Sequence, residues 1–403
     1  MKRLGGVFAS FALVACGGDV VLPPGLAWQS PQRPDYVSQA RLASTDNGDD
    51  TLAFVTPDSL DAPRVLGFAP VGNNPIELEG PHHLAASPDG RFIYYNLSHY
   101  VTNGGSGPHG SHGTGTVPGY MVKLDAATNR PVGQVLIDRS PGDILVSPDG
   151  KVVFVSHYDL ARLMDQLTRG APAAEGYSTV VAIDADALQI ISATPVCPTT
   201  HGMGLSPDGT ELYVTCSLSD QLGILDIHDV AHPMVKPLVE VGPMYGPPGQ
   251  PTYAPYALTV QKNGLVWISD NQSGDVRVYD PIHHVMDPSK TVHVGGVAMF
   301  SAFSPDESKL YVPHQGDDQV TEIALPALTT RNLALPKAAC QNAHVLRVLA
   351  GGQGAAVVCE GDHQTIKGTM VFLDLAAWAV KGYVQLGLFP DGIIYLPGLP
   401  PSS

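Results

Sequence analysis

One short phrase returns along the chain and constrains its fold more than any other feature: Ser87-Pro88-Asp89-Gly90, Ser147-Pro148-Asp149-Gly150, Ser206-Pro207-Asp208-Gly209 and Ser304-Pro305-Asp306-Glu307. An apolar run follows each copy, namely Phe92-Ile93-Tyr94-Tyr95, Val152-Val153-Phe154-Val155, Leu212-Tyr213-Val214 and Leu310-Tyr311-Val312. Self-similarity at such a period marks a repeat architecture. Weaker copies extend it: Ser44-Thr45-Asp46-Asn47-Gly48 before Leu52-Ala53-Phe54-Val55-Thr56, Lys262-Asn263-Gly264 before Val266-Trp267-Ile268-Ser269, and Gly351-Gly352-Gln353-Gly354 before Ala356-Val357-Val358. Aligned on the phrase, the chain divides into seven units at about 36–80, 81–140, 141–196, 197–249, 250–296, 297–336 and 337–387.

Each unit continues with a third run ending near Asp, such as Met121-Val122-Lys123-Leu124-Asp125, and a fourth such as Gly133-Gln134-Val135-Leu136. Four short strands per repeat predict an all-β fold, a seven-bladed β-propeller of four-stranded antiparallel blades. The 43 Gly and 36 Pro suit many turns, and 44% hydrophobic residues supply the core. Phe389-Pro390-Asp391-Gly392-Ile393-Ile394-Tyr395 matches the first strand of a further repeat and reads as the strand that clasps blade one. The turn phrase, with Tyr213-Val214-Thr215 and Phe54-Val55-Thr56, resembles the YVTN family of surface and periplasmic propellers. The resemblance implies the fold over nearly the whole mature chain, but no activity, because one propeller hosts many unrelated functions.

The N-terminus reads as an address. Lys2 and Arg3 precede the short apolar stretch 4–14, and Leu13-Val14-Ala15-Cys16 resembles the lipobox of bacterial lipoproteins. That resemblance implies a signal peptide over 1–15, lipidation of Cys16 with a Pro-containing tether over 16–35, and the propeller over 36–403. The expected location is that of an exported lipoprotein, in the periplasm or at the outer membrane or cell surface, with the membrane as a partner through the anchor. An ordinary signal peptide is the alternative. A net charge of −16 argues against nucleic acid as a partner.

In such blades the turns after the first and third strands share one end, and the remaining loops share the other. The second end carries the long insertions, 101–118 and 243–256, and a short amphipathic helix over 159–167 capped by Asp159. Long loops on a rigid scaffold usually carry function, so this loop face is expected to be the working one. The residue five before each turn serine starts the innermost strand beside the axis, which places His82, Gly142, His201, Tyr256 and Met299 there. His344 joins them by the cysteine register, and Asp391 joins if the C-terminal strand closes blade one.

Imidazoles converging with Met and carboxylate suit Cu, Zn or Fe. His82, His201 and His344 are expected as inner ligands, with His83, His157, His314 and Met299 supplementary. A redox role and a protein redox partner would follow from Cu or Fe. The alternative is that these histidines bond backbone groups in crowded loops. The arrangement is similar to the nitrous oxide reductase propeller, where histidines that include an adjacent pair hold copper on the axis; His82-His83 matches that pair in character. No cupredoxin domain or paired-cysteine copper site follows, so the resemblance implies an axial metal rather than that reaction. Cytochrome d1 and amine dehydrogenase propellers are more distant likenesses, and no Cys-x-x-Cys-His haem attachment is present.

Cys197 and Cys216, and likewise Cys340 and Cys359, lie nineteen residues apart, each pair with His four after the first Cys. Two disulfides, each within one blade, are expected in an exported protein, with thiolate metal ligation as the alternative. Two rival functions remain open on sequence: a metal-free recognition scaffold, and a propeller lactonase or other hydrolase, for which no residue set can be matched.

Overall fold

The computed structural model describes residues 34–73, 78–98 and 115–400. Its repeating unit begins with the turn phrase. The Ser87 hydroxyl donates to Asp89 Oδ1 at 2.6 Å, while the Phe92 N–H donates to Ser87 Oγ at 2.9 Å and the Arg91 N–H to the same Asp89 oxygen at 3.0 Å. Gly90 closes the turn at φ +70°, a conformation that costs a glycine little. The serine–aspartate bond recurs at 2.6 Å in the turns of Ser147, Ser206 and Ser304. In the last of these Glu307 takes the left-handed position at φ 55°. The phrase is thus a self-satisfied hairpin turn, which is why it survives while its flanks vary.

The hairpins assemble into seven antiparallel sheets, four of four strands and three of five. The extra strands arise where an edge strand breaks into two short pieces, as in Met234–Val235 and Val239–Glu240. The four inner strands of blades two to five, Pro81–Ala86, Pro141–Val146, Thr200–Leu205 and Pro255–Val260, are each buried over their first four residues and half-buried over their last two. Second strands such as Val152–His157 are buried almost throughout, whereas the outer strand Thr329–Ala334 is mostly exposed. The core therefore lies between blades, in clusters such as Phe154, Val180, Val214 and Leu225. Each such side chain contributes about 1.5–3 kcal/mol on burial.

Blade one closes the ring as expected. Pro390–Leu396 is its innermost strand, paired antiparallel to Arg41–Asp46 from Arg41↔Leu396 to Asp46↔Pro390. This pairing corrects the alignment of the first unit. Ser44 to Gly48 is not the counterpart of the Ser-Pro-Asp-Gly turns; it leads from the second strand of the blade to the third, at the opposite, loop end. There the Asn47 and Gly48 N–H groups donate to the carbonyls of Phe389 and Leu388 at 2.9 and 3.0 Å, and Gly387 N–H donates to Asp46 Oδ1 at 2.9 Å. The two ends of the propeller meet where the missing turn would have been.

Both disulfides are present, Cys197–Cys216 and Cys340–Cys359, with Cα atoms 5.9 and 5.2 Å apart. Cys197 ends the outer strand of blade three, Gln189–Cys197, so the first bridge staples blade three to blade four rather than lying within one blade. A loop of this size restricts the unfolded chain by about 3 kcal/mol. The helix α1, Leu160–Arg169, is capped by Asp159, whose carboxylate accepts the Arg162 N–H at 2.9 Å. Cys16 and the proposed anchor lie outside the described residues, among which no helix is long and apolar enough to cross a membrane.

Candidate metal centre

At their loop-face ends the inner strands deliver His82, Gly142, His201, Tyr256, His344 and Asp391 to the axis, each at the second position of its strand. His82, His201, His344 and Asp391 are wholly buried, and His83 nearly so. Gly142 makes the crowding tolerable. A Cβ there would meet His201 Cδ2 and Ser156 Oγ, each at 3.0 Å.

Asp391 is the hub. Its carboxylate lies 2.9 Å from His82 Nε2, 3.3 Å from His83 Nε2 and 3.0 Å from His344 Nε2. Each ring is fixed from behind through Nδ1. His82 Nδ1 meets the Pro141 carbonyl at 3.1 Å, His83 Nδ1 meets Asp143 Oδ1 at 3.0 Å, and His344 Nδ1 meets Glu360 Oε1 at 2.8 Å. His201 Nδ1 donates to the Tyr256 carbonyl at 3.0 Å, and its ring stacks on Tyr256 with centroids 4.2 Å apart. The rear carboxylates are themselves held: Asp143 accepts N–H bonds from Met203 and Ile144, and Glu360 also contacts His363 Nε2 at 2.6 Å and Gln315 Nε2. Ligand atoms of His82, His83 and His201 lie within 4.8 Å of one another, as do those of His83, His344 and Asp391.

The electrostatics divide the rings. Burial alone would lower His83, but Asp391 and Asp143 overcome it and raise the imidazole to about 9. Burial is likewise overcome at His344, where Glu360 and Asp391 raise the ring to about 10. Asp391 is held well below the carboxylate range by the facing histidines, against its burial. His201 goes the other way: burial and the neighbouring His83 push it well below its ordinary value. A ring flanked by acceptors on both nitrogens has only one N–H to give when neutral. It satisfies both as an imidazolium, or by lending Nε2 to a cation that the carboxylate also holds.

The structure does not bring every expected residue here. His157 is buried within blade three with Nδ1 against the Thr179 carbonyl at 2.9 Å, and His314 sits in blade six with Nε2 against the Thr321 hydroxyl at 2.9 Å. Burial lowers both. They lie at the ends of second strands, His157 last and His314 last but one, one strand farther from the axis. Met299 turns its sulfur toward Asn271 Nδ2 at 3.7 Å. The inner strand of blade six breaks there, and Phe300 reaches the axis instead, with ring centroids 4.8 Å from His83 and 5.6 Å from His344. Its N–H donates to the His344 carbonyl of the next blade at 3.2 Å. His99, His109 and His112 lie outside the described residues.

Asp143 and Glu360 carry roles that sequence reasoning did not assign. The available signal for Asp143 was positional: it follows Gly142 as His83 follows His82. For Glu360 it was adjacency to Cys359 at the outlet of a second strand.

The centre also opens on a cavity that the sequence did not announce. A cavity of about 430 Å³ touches His83 and Asp143 and extends along Leu84, Leu205, Val260 and Arg347 toward the turn-phrase end. The half-buried last residues of the inner strands mark the same opening. Among the described residues, this cavity reaches the centre from the face with the economical turns.

No family model and no curated protein sequence matches the chain. Solved structures do match. The Pseudomonas aeruginosa periplasmic gluconolactonase is 16% identical with a TM-score of 0.65, over 89% of this chain and 99% of that one. Kuenenia stuttgartiensis hydrazine synthase is 17% identical with a TM-score of 0.59, over 80% and 92%. The dihydro-haem d1 dehydrogenase NirN is 14% identical with a TM-score of 0.54, over 90% and 77%. At these identities the likeness is one of fold.

Proposed function

We propose that this propeller is an exported metal-binding protein that holds a transition-metal ion, Cu, Zn or Fe, on its axis. His82, His83, His201 and His344 would be its nitrogen donors, with Asp391 as carboxylate. One observation carries the reading: four axial imidazoles are each fixed through Nδ1 by a carboxylate or a backbone carbonyl. That is the supporting arrangement metal-ligating histidines use to set tautomer and ring angle. Imidazole donors suit these metals. When bound, copper or iron would supply one-electron chemistry and zinc a Lewis acid.

The chain's own residues prepare the site. Asp143 and Glu360 hold the rings at their angles; burial keeps His201 neutral, and its Nδ1–H bond to the Tyr256 carbonyl leaves the lone pair at Nε2. Loading must expel the protons that His83 and His344 hold in the metal-free protein, so affinity should rise with pH. Two disulfides support an oxidising, extracytoplasmic setting. The lipid anchor at Cys16 and a protein redox partner belong to the same proposal. The gluconolactonase among the structural neighbours keeps a hydrolase as a second reading, favoured by the cavity that reaches His83 and Asp143.

The test is metal analysis of the mature protein purified without a histidine tag. The expectation is one Cu, Zn or Fe per chain, lost in the His83→Ala/His344→Ala double variant. Wild-type protein that takes up none of the three, with a thermal midpoint unmoved by their addition, would refute it.

A further inference from the structure

We infer that the axial channel binds a small amphiphilic monocarboxylate, with its carboxylate on Arg347 and its apolar end directed toward the His83 layer. This goes beyond the metal reading and does not depend on it. The channel walls are aliphatic just inside the histidine layer: Leu84, Met203, Leu258, Leu346 and Ile393 line it. A guanidinium interrupts them. Arg347 lines the same cavity and is solvent-exposed, although protein surrounds it closely enough for burial to lower its pKa. Among the described residues no carboxylate pairs with its guanidinium.

An exposed guanidinium on the wall of an aliphatic channel, with no carboxylate of the described chain paired to it, is free to take the anion of a ligand. Its planar fork matches a carboxylate in two parallel hydrogen bonds. Charge also sets the orientation. At the inner end Asp143 and Asp391 already pair with the His83 and His344 rings, so the positive charge left without a partner along the channel is that of Arg347, and the anionic head goes there. Length then follows from geometry. Arg347 stands two residues beyond Val345, which shares the His83 layer, along Ala343–Val348. At about 3.3 Å per residue this is roughly 7 Å, near the reach of a six-carbon chain.

The probes are hexanoate and its neutral isostere hexanamide, titrated calorimetrically into the mature protein as purified and after EDTA treatment. Hexanoate should bind at least tenfold tighter than hexanamide in both preparations. Arg347→Gln should abolish that preference, and Arg347→Lys should retain part of it, both with an unchanged thermal midpoint. Equal binding of the two probes, binding of neither, or a preference that survives in Arg347→Gln would overturn the inference. So would a preference lost on EDTA treatment, which would place the carboxylate on a metal instead.

Discussion

Blades four and seven carry the same motif and reach opposite electrical states. Each is entered by Cys-x-x-x-His with a second Cys nineteen residues on, each is tied by the resulting disulfide (from blade three's outer strand in the case of blade four), and each delivers the histidine to the axis fully buried. The difference lies one residue beyond the second cysteine. Blade four has Ser217, whose hydroxyl donates to the Pro255 carbonyl at 2.7 Å. Blade seven has Glu360, also wholly buried, 2.8 Å from His344. His201 is left with a backbone carbonyl and an aromatic face, and burial drives it neutral. His344 faces two carboxylates and holds its proton to about pH 10. The shared backbone thus sets position, and a residue outside the motif sets charge.

The widest test of this contrast is the pH dependence of the metal-free protein. His83 and His344 have folded pKa values near 9 and 10, above the value of about 6.5 expected in the unfolded chain. Their contribution is fully present below that unfolded value and is lost as pH rises through 9 and 10. His201 is shifted down, so the unfolded chain takes up a proton first, and stability falls as pH drops below about 6.5. Thermal midpoints of EDTA-treated protein should therefore peak near roughly pH 6.5, fall steadily toward pH 9–10 and fall again on the acid side. A profile flat from pH 6 to 10 would remove the assigned charges.

Next in size is Glu360→Gln. Deleting one partner of a buried pair leaves the other charge uncompensated, which costs about 3–5 kcal/mol. Denaturant midpoints at pH 7 should show that loss, and the alkaline decline should weaken because His344 gives up its proton earlier. Removing a rear partner of a metal-ligating histidine also lowers metal affinity by about 10–100-fold. Full stability with unchanged metal affinity in Glu360→Gln would leave the two blades equivalent.

The same contrast explains what could be read from the sequence. Turn phrase, blade count, the two cysteine pairs and the axial positions of His82, His201, His344 and Asp391 were legible, because each depends on a local spacing that recurs along the chain. The failures were non-periodic. Ser44 to Gly48 imitates the turn phrase in composition but sits at the other end, since the C-terminal strand displaces blade one's register by a strand. Met299 holds the right number from its turn serine, yet the strand breaks and Phe300 pairs with blade seven instead. The cavity on the turn-phrase side was not legible either, because it depends on side-chain size at the inner-strand ends. Glu360 became meaningful only once the ring placed it behind His344.

The smallest expected effect is the sharpest control. Ser217→Ala removes a single neutral hydrogen bond to the Pro255 carbonyl, so it should cost about 1 kcal/mol. The anchor of His201 is the neighbouring Tyr256 carbonyl, a backbone atom that no side-chain substitution deletes. Metal affinity and the acid side of the pH profile should then stay within about twofold of wild type, well inside the range that a lost rear ligand produces. Isothermal titration of Ser217→Ala beside Glu360→Gln makes the comparison directly. A tenfold loss in the serine variant would mean that Tyr256 positions His201 only while Pro255 is pinned, and that blade four depends on a side chain as much as blade seven does.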